Sequence, residues 1–164
     1  MRPEFSHPVA LAHVPAEGLA LRLEADADAR ARLASRLGLL ALHAFDAELR
    51  LMPEPEGRIG VRGRLRAELE QACGITLEPV AQRIDVPLAW RLLPAGLEPS
   101  DGDDDPDDIE TEAGMADLGE ALAQDLALAL DPYPRAPGAE VPAEYRPDGR
   151  GGPFAALAGL RGKP

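Results

Sequence analysis

Residues 60–79, GVRGRLRAELEQACGITLEP, decide the fold. Val61, Leu65, Ala67 and Leu69 share one parity, and Arg62, Arg64, Arg66, Glu68 and Glu70 share the other. Successive side chains of a strand point to opposite faces, so this alternation predicts a half-buried strand. The run breaks at Cys73-Gly74 and restarts after Pro79. Val80, Ile84, Val86, Leu88 and Trp90 then keep one face as far as Leu92. Pro87 falls on the opposite parity, which predicts an edge position or a bulge, because proline has no N–H to give a ladder.

Working outward, residues 39–52 alternate in the same way. Leu39, Ala41, Phe45, Ala47, Leu49 and Leu51 take one side, and Asp46, Glu48 and Arg50 the other. Residues 53–57, PEPEG, supply a turn, so this run and Arg58–Ala72 form a hairpin. Residues 9–14 and 19–24 predict two shorter strands joined by Pro15-Ala16-Glu17-Gly18. Between them and the hairpin, Asp26 or Asp28 caps a helix, Leu33 and Leu37 mark its apolar stripe, and Gly38 ends it. Arg30, Arg32 and Arg36 read as its solvated side.

No connection after Leu39 is long enough for a crossover helix, which favours antiparallel pairing. The fold class is therefore α+β, a twisted antiparallel sheet or partly open barrel with two main helices. The second helix covers residues 115–130. Asp117 is its N-cap, Glu120 completes a capping-box pattern, and Leu118, Leu122 and Leu126, then Leu128 and Leu130, form its stripe. Asp131-Pro132-Tyr133-Pro134 stops it. Residues 97–114, LEPSDGDDDPDDIETEAG, are acidic and self-repelling, which predicts a mobile loop. The organisation is one domain over residues 1–134, including that loop, and a Pro/Gly-rich tail over 135–164 with a last helical turn at Pro153–Leu160.

Composition sets the bounds. The 164 residues suffice for one core, which is aliphatic because only 4% are aromatic. A single cysteine rules out an intramolecular disulfide and gives no sign of secretion. The first fifteen residues are interrupted by proline and histidine, and no run approaches the roughly 18 apolar residues of a membrane span. These features predict a cytoplasmic protein with no membrane contact. Net charge is −12, yet thirteen of the 29 acidic residues lie between Arg91 and Arg135, where no Lys or Arg occurs. The remainder is almost neutral, so a local basic face is compatible with an acidic chain.

Reaction chemistry is sparse. Asp101, Asp103, Asp105, Asp107 and Glu112 follow the spacing of a calcium loop, but Pro106 occupies the place where its turn needs glycine. The three histidines, at 7, 13 and 43, and one cysteine do not make a zinc site. Cys73 at a strand end reads as a small buried hydrophobe rather than a nucleophile. Gly57, Gly60 and Gly63 give the GxxG spacing of an RNA-binding loop, but inside a strand pattern. No phosphate-loop or dinucleotide motif is present, and no metal or cofactor is implied. What remains is the arginine row. Arg62, Arg64 and Arg66, with Arg50 on the neighbouring strand, can bind phosphates bidentately. They can equally form a solvated face balanced by Asp46, Glu48, Glu68 and Glu70, and charge alone favours that reading.

Three stretches together resemble the YceD family, the large ribosomal RNA subunit accumulation proteins of bacteria and plastids. Gly63, Cys73, Leu77, Glu78 and Pro79 match its run of glycine, cysteine and Leu-Glu-Pro. Asp117, Leu118, Gly119 and Glu120 match its Asp-Leu-Gly-Glu signature, which an acidic stretch precedes. Pro153, Phe154 and Leu157 match its C-terminal Pro-Phe-x-x-Leu. A second cysteine found in many members is replaced by Thr76, and the C-terminal pair is absent.

The resemblance implies a role in accumulation or processing of large-subunit (23S) ribosomal RNA, with no established catalytic activity. The leading expectation is a non-enzymatic ribosome-biogenesis factor. Arg50, Arg62, Arg64 and Arg66 are its candidate RNA contacts. Asp103, Asp104, Asp105, Asp107 and Asp108 are candidate contacts to a basic large-subunit ribosomal protein. The alternative is an acidic adaptor or chaperone for such a protein that never touches RNA. A magnesium nuclease is disfavoured, because such sites fix their carboxylates on rigid elements.

Overall fold

The structure is a computed structural model, and it describes residues 3–100, 102 and 105–146. The strands are β1 (Pro8–Ala10), β2 (Leu19–Glu24), β3 (Ala41–Pro53), β4 (Ile59–Ala72), β5 (Pro79–Leu93), β6 (Asp107–Glu110) and β7 (Met115–Asp117). Helix α1 covers Ala27–Leu37 and α2 covers Leu118–Ala129. Strands β2-β3-β4-β5-β6 form an open, mixed five-stranded sheet, and β1 and β7 form a separate two-stranded ribbon. The α+β class holds, as a twisted sheet and not a closed barrel.

Alternation built the three long strands. Ile59, Val61, Leu65, Ala67 and Leu69 of β4 are buried with Phe45, Ala47, Leu49 and Leu51 of β3 and Ile84, Leu88, Trp90 and Leu92 of β5. Both helices cover this face, with Leu33 from α1 and Leu118, Leu122 and Leu126 from α2 in the same core. The opposite face of the sheet is charged and open to water, the usual arrangement for an antiparallel sheet with one covered face. Expected and observed burial differ at the start of β3. A register shift between Leu42 and Ala44 switches the parity, so Leu42 is buried where Ala41 was expected.

The acidic stretch departs most from expectation. Asp107–Glu110 is not a loop but a strand, and it pairs parallel with Trp90–Leu93 of β5. The connection through residues 94–106 is long enough to return to the same end of β5 without a helix. Strand β6 covers only the last residues of β5, so Pro87 lies where no strand pairs with the outer side, as its missing N–H requires. The segment expected as a strand over 9–14 is extended only to Ala10. It pairs with β7 rather than with β2.

Caps follow the sequence closely. Asp26 accepts from the Ala29 N–H at 2.8 Å, and Gly38 ends α1 at φ +66°. Asp117 accepts from the N–H groups of Gly119 and Glu120, and also from His7 N–H and the Ser6 hydroxyl. Burial pushes its carboxyl up, but these four donors hold it below the usual value. The Glu120 carboxylate does not close a capping box. It binds Arg36 of α1 through two hydrogen bonds at 2.9 and 2.7 Å, which tie the helices together. Two glycines are required by close packing. A β-carbon at Gly119 would meet the Phe5 carbonyl and Ser6 at 2.8 Å, and one at Gly63 would strike the Glu48 carbonyl.

Candidate nucleic-acid interface

The exposed sheet face is a set of cross-strand rows. Arg50 of β3 stands opposite Arg62 of β4, with Ala20 of β2 and Ala89 of β5 flanking them. The next row reads Arg22, Glu48, Arg64 and Pro87. The third reads Glu24, Asp46, Arg66 and Asp85. Formal charge therefore runs from +2 through +1 to −2 over three rows.

Ion pairs follow this gradient. Arg64 Nε lies 2.5 Å from Asp85. Arg66 lies 3.6 Å from Asp46 and 3.5 Å from Glu48, and Arg22 lies 3.8 Å from Glu48. Arg83 pairs with Glu68. A hollow of about 310 Å³ beside these residues is lined by Asp46, Asp85 and Glu68 as well as by Arg66 and Arg83. Three carboxylates against two guanidiniums leave it net acidic.

The Arg50–Arg62 row differs. Arg50 donates to the Glu17 carbonyl at 3.1 Å. Among the described residues neither Arg50 nor Arg62 has a carboxylate within salt-bridge distance. Like charges directly opposite on a sheet repel. Alanine neighbours leave both guanidiniums accessible, and their planar forks suit phosphate oxygens. The sequence put both arginines on one face. The hairpin register put them face to face. Arg22 was not singled out from the sequence, although the alternation of LALRLE carried the signal.

The other anticipated residues are placed as follows. Arg91, one row before the Arg50–Arg62 pair, binds Asp108 of β6 through two hydrogen bonds at 2.7 and 3.0 Å. Their side chains are only 15% and 4% exposed. The Arg91 guanidinium holds the Asp108 carboxyl below its ordinary value, against burial and with help from the Ser100 N–H. Asp108 is thus committed within the fold. Asp105 bonds Ser100, and Asp107 is exposed. Asp103, Asp104, Pro153 and Phe154 lie outside the described residues. The Cys73 sulfur is buried and accepts N–H groups from Ile75, Thr76 and Ala136 at 3.3–3.4 Å. The Ala136 N–H foremost, then the Thr76 side chain and the N–H groups of Thr76 and Ile75, bring its thiol down to about 6, while burial pushes it up. Asp125 accepts from the Trp90 indole at 2.9 Å, and burial raises its carboxyl. Among the described residues no group of three His, Cys, Asp or Glu side chains is arranged to hold a metal. No described helix is long and apolar enough to cross a membrane.

One family's model, described as large ribosomal RNA subunit accumulation protein YceD, matches residues 61–161, well over half the chain. The chain belongs to the YceD family. The match begins in β4 and takes in Gly63, the Cys73 turn and the Asp117–Glu120 cap, so the YceD region includes both glycines at close approach and the sulfur that gathers three N–H donors. The YceD description names an effect on ribosomal RNA and names no reaction. No curated protein and no solved structure matches the chain.

Proposed function

We propose that this chain is a non-enzymatic ribosome-biogenesis factor that supports accumulation of large-subunit (23S) ribosomal RNA in the cytoplasm, holding RNA backbone phosphates at the Arg50–Arg62 end of its sheet. The family match supports the setting. The observation that carries the contact is the pair of facing, carboxylate-free guanidiniums on a face where Arg22, Arg64, Arg66 and Arg83 are each paired with a carboxylate. Arg64 and Arg66 are held by acidic neighbours and act as the border of that site. Phosphate contacts of this kind bind without reading sequence, and their strength falls with salt.

Depletion of the protein tests the role: large-subunit rRNA falls and ribosome profiles lose large subunits. Unchanged rRNA and profiles would refute it. Crosslinking in cells tests the contact: replacing Arg50 and Arg62 with glutamate lowers RNA crosslinking, while the same change at Arg64 and Arg66 has a smaller effect. The protein-only adaptor is the second reading. The concentration of acidic residues between Arg91 and Arg135 favours it. Under that reading, removing residues 101–107 abolishes binding of a basic ribosomal protein and the arginine changes are silent.

A further inference from the structure

The turn between β4 and β5 stores backbone strain that the arginine surface does not use. Leu77 has φ +64°. That left-handed conformation is unfavourable for a residue with a β-carbon, and glycine or asparagine adopts it readily. Burial does not compensate, because Leu77 is 75% exposed. Strain kept at an exposed apolar side chain points to a use for that side chain.

The backbone around Leu77 is firmly held. Cys73 N–H donates to the Glu78 carbonyl at 2.8 Å, and Leu77 N–H donates to the Cys73 carbonyl at 3.0 Å. Gly74 N–H donates to the Pro134 carbonyl at 2.9 Å, and Ala136 N–H donates to the Cys73 sulfur. Gln71 Nε2 donates to the Asp131 carbonyl at 3.0 Å. The segment after α2 is therefore clamped to the turn. It presents Tyr133, 80% exposed, and the last turn of α2 presents Leu128, 84% exposed.

We propose that Leu77, Tyr133 and Leu128 form a docking surface for a basic protein. Exposed carboxylates rim it where the chain is fixed: Glu78 adjoins Leu77, and Asp131 lies between Leu128 and Tyr133 and accepts from the Tyr133 N–H at 2.9 Å. This rim attracts lysine and arginine and repels a phosphate backbone. An aromatic and aliphatic centre on pre-ordered backbone inside a charged rim is the anatomy of a protein interface. Arg62 lies ten residues back along β4, which at about 3.3 Å per residue separates the two surfaces by roughly 30 Å. The choice of a large-subunit ribosomal protein as the partner rests on the function proposed above.

The test titrates the full chain with individually purified large-subunit ribosomal proteins in the absence of RNA. The wild type binds at least one of the basic ones. Leu77→Gly raises Tm, because it relieves the backbone, yet weakens that binding by about tenfold or more. Tyr133→Ala and Glu78→Lys weaken it as well, and Arg50→Gln with Arg62→Gln leaves it unchanged. The proposal is overturned if no ribosomal protein binds the wild type, or if all three turn variants bind as the wild type does. It is also overturned if these variants lose an rRNA fragment or self-association instead. Lost protein binding by the arginine pair, with the turn variants silent, would move the protein contact to the other end of the sheet.

Discussion

Arg91 and Arg62 stand in neighbouring rows of the same sheet face. Arg91 is covered by β6, which delivers Asp108 to it in a bidentate, nearly buried pair. Arg62 meets another arginine and stays in water. The two residues are chemically identical and two positions apart in register, yet one is structural and the other is available to a ligand. Register and edge coverage locate a binding group; a count of charges does not. The acidic chain as a whole would repel RNA, and only the local arrangement allows a contact.

Breaking the covered pair is the largest perturbation. Asp108→Ala leaves Arg91 without its carboxylate and removes the acceptor of the Ser100 N–H. Thermal melting should drop by roughly ten degrees. A wild-type Tm would show that Arg91 is well solvated and that the contrast with Arg62 is false. The second effect is on binding. Changing Arg50 and Arg62 together to glutamine should weaken RNA binding and flatten the plot of log affinity against log salt by about one for each lost guanidinium. Titrations of an rRNA fragment at several salt concentrations measure this, and an equal change from Arg64→Gln would spread the site along the face.

Acid pH provides a third separation. The Asp108 carboxyl is held low, so its contribution to stability is complete above the unfolded value near 4 and is lost as pH falls through the folded value. Asp108→Asn should make the acid limb of the stability curve shallower. It should not abolish it, since Asp117 and Glu120 are also held low. Variants of the Arg50–Arg62 pair leave these carboxylates and their partners in place and should follow the wild-type curve. The smallest effect is on the pair itself. Arg62→Gln removes a like-charge opposition and should stabilise the fold by about 0.5 kcal/mol. Arg64→Gln loses an exposed ion pair and should destabilise by a similar amount. Denaturant melts of the two variants should move in opposite directions.

Period-two alternation is legible wherever a strand buries one face, which is why three long strands and their turns are readable in the sequence. The caps at Asp26 and Asp117 were legible because their chemistry is local. The partner of Glu120 was not, since Arg36 is 84 residues away. Strand β6 was hidden because Ile109 is its only apolar residue and charge repulsion argues for a loop. What recruits it is the partly covered Arg91 of the preceding strand, 17 residues back, and no local signal records that. The arginine row was visible as residues on one face, but the facing of Arg50 and Arg62 depends on the length of the turn between them. The strain at Leu77 had no signal at all, because leucine is unremarkable until its φ is known.

The Cys73 sulfur lastly holds the segment that follows α2. By gripping Ala136 it makes a segment beyond α2 part of the same mechanical unit as the sheet. A displacement at Ala136 is resisted by that sulfur and by the Gly74–Pro134 bond before it reaches the helix. Losing the hydrogen bond at this one atom would loosen the anchorage of the segment from Pro134 to Ala136 while leaving the strands in register.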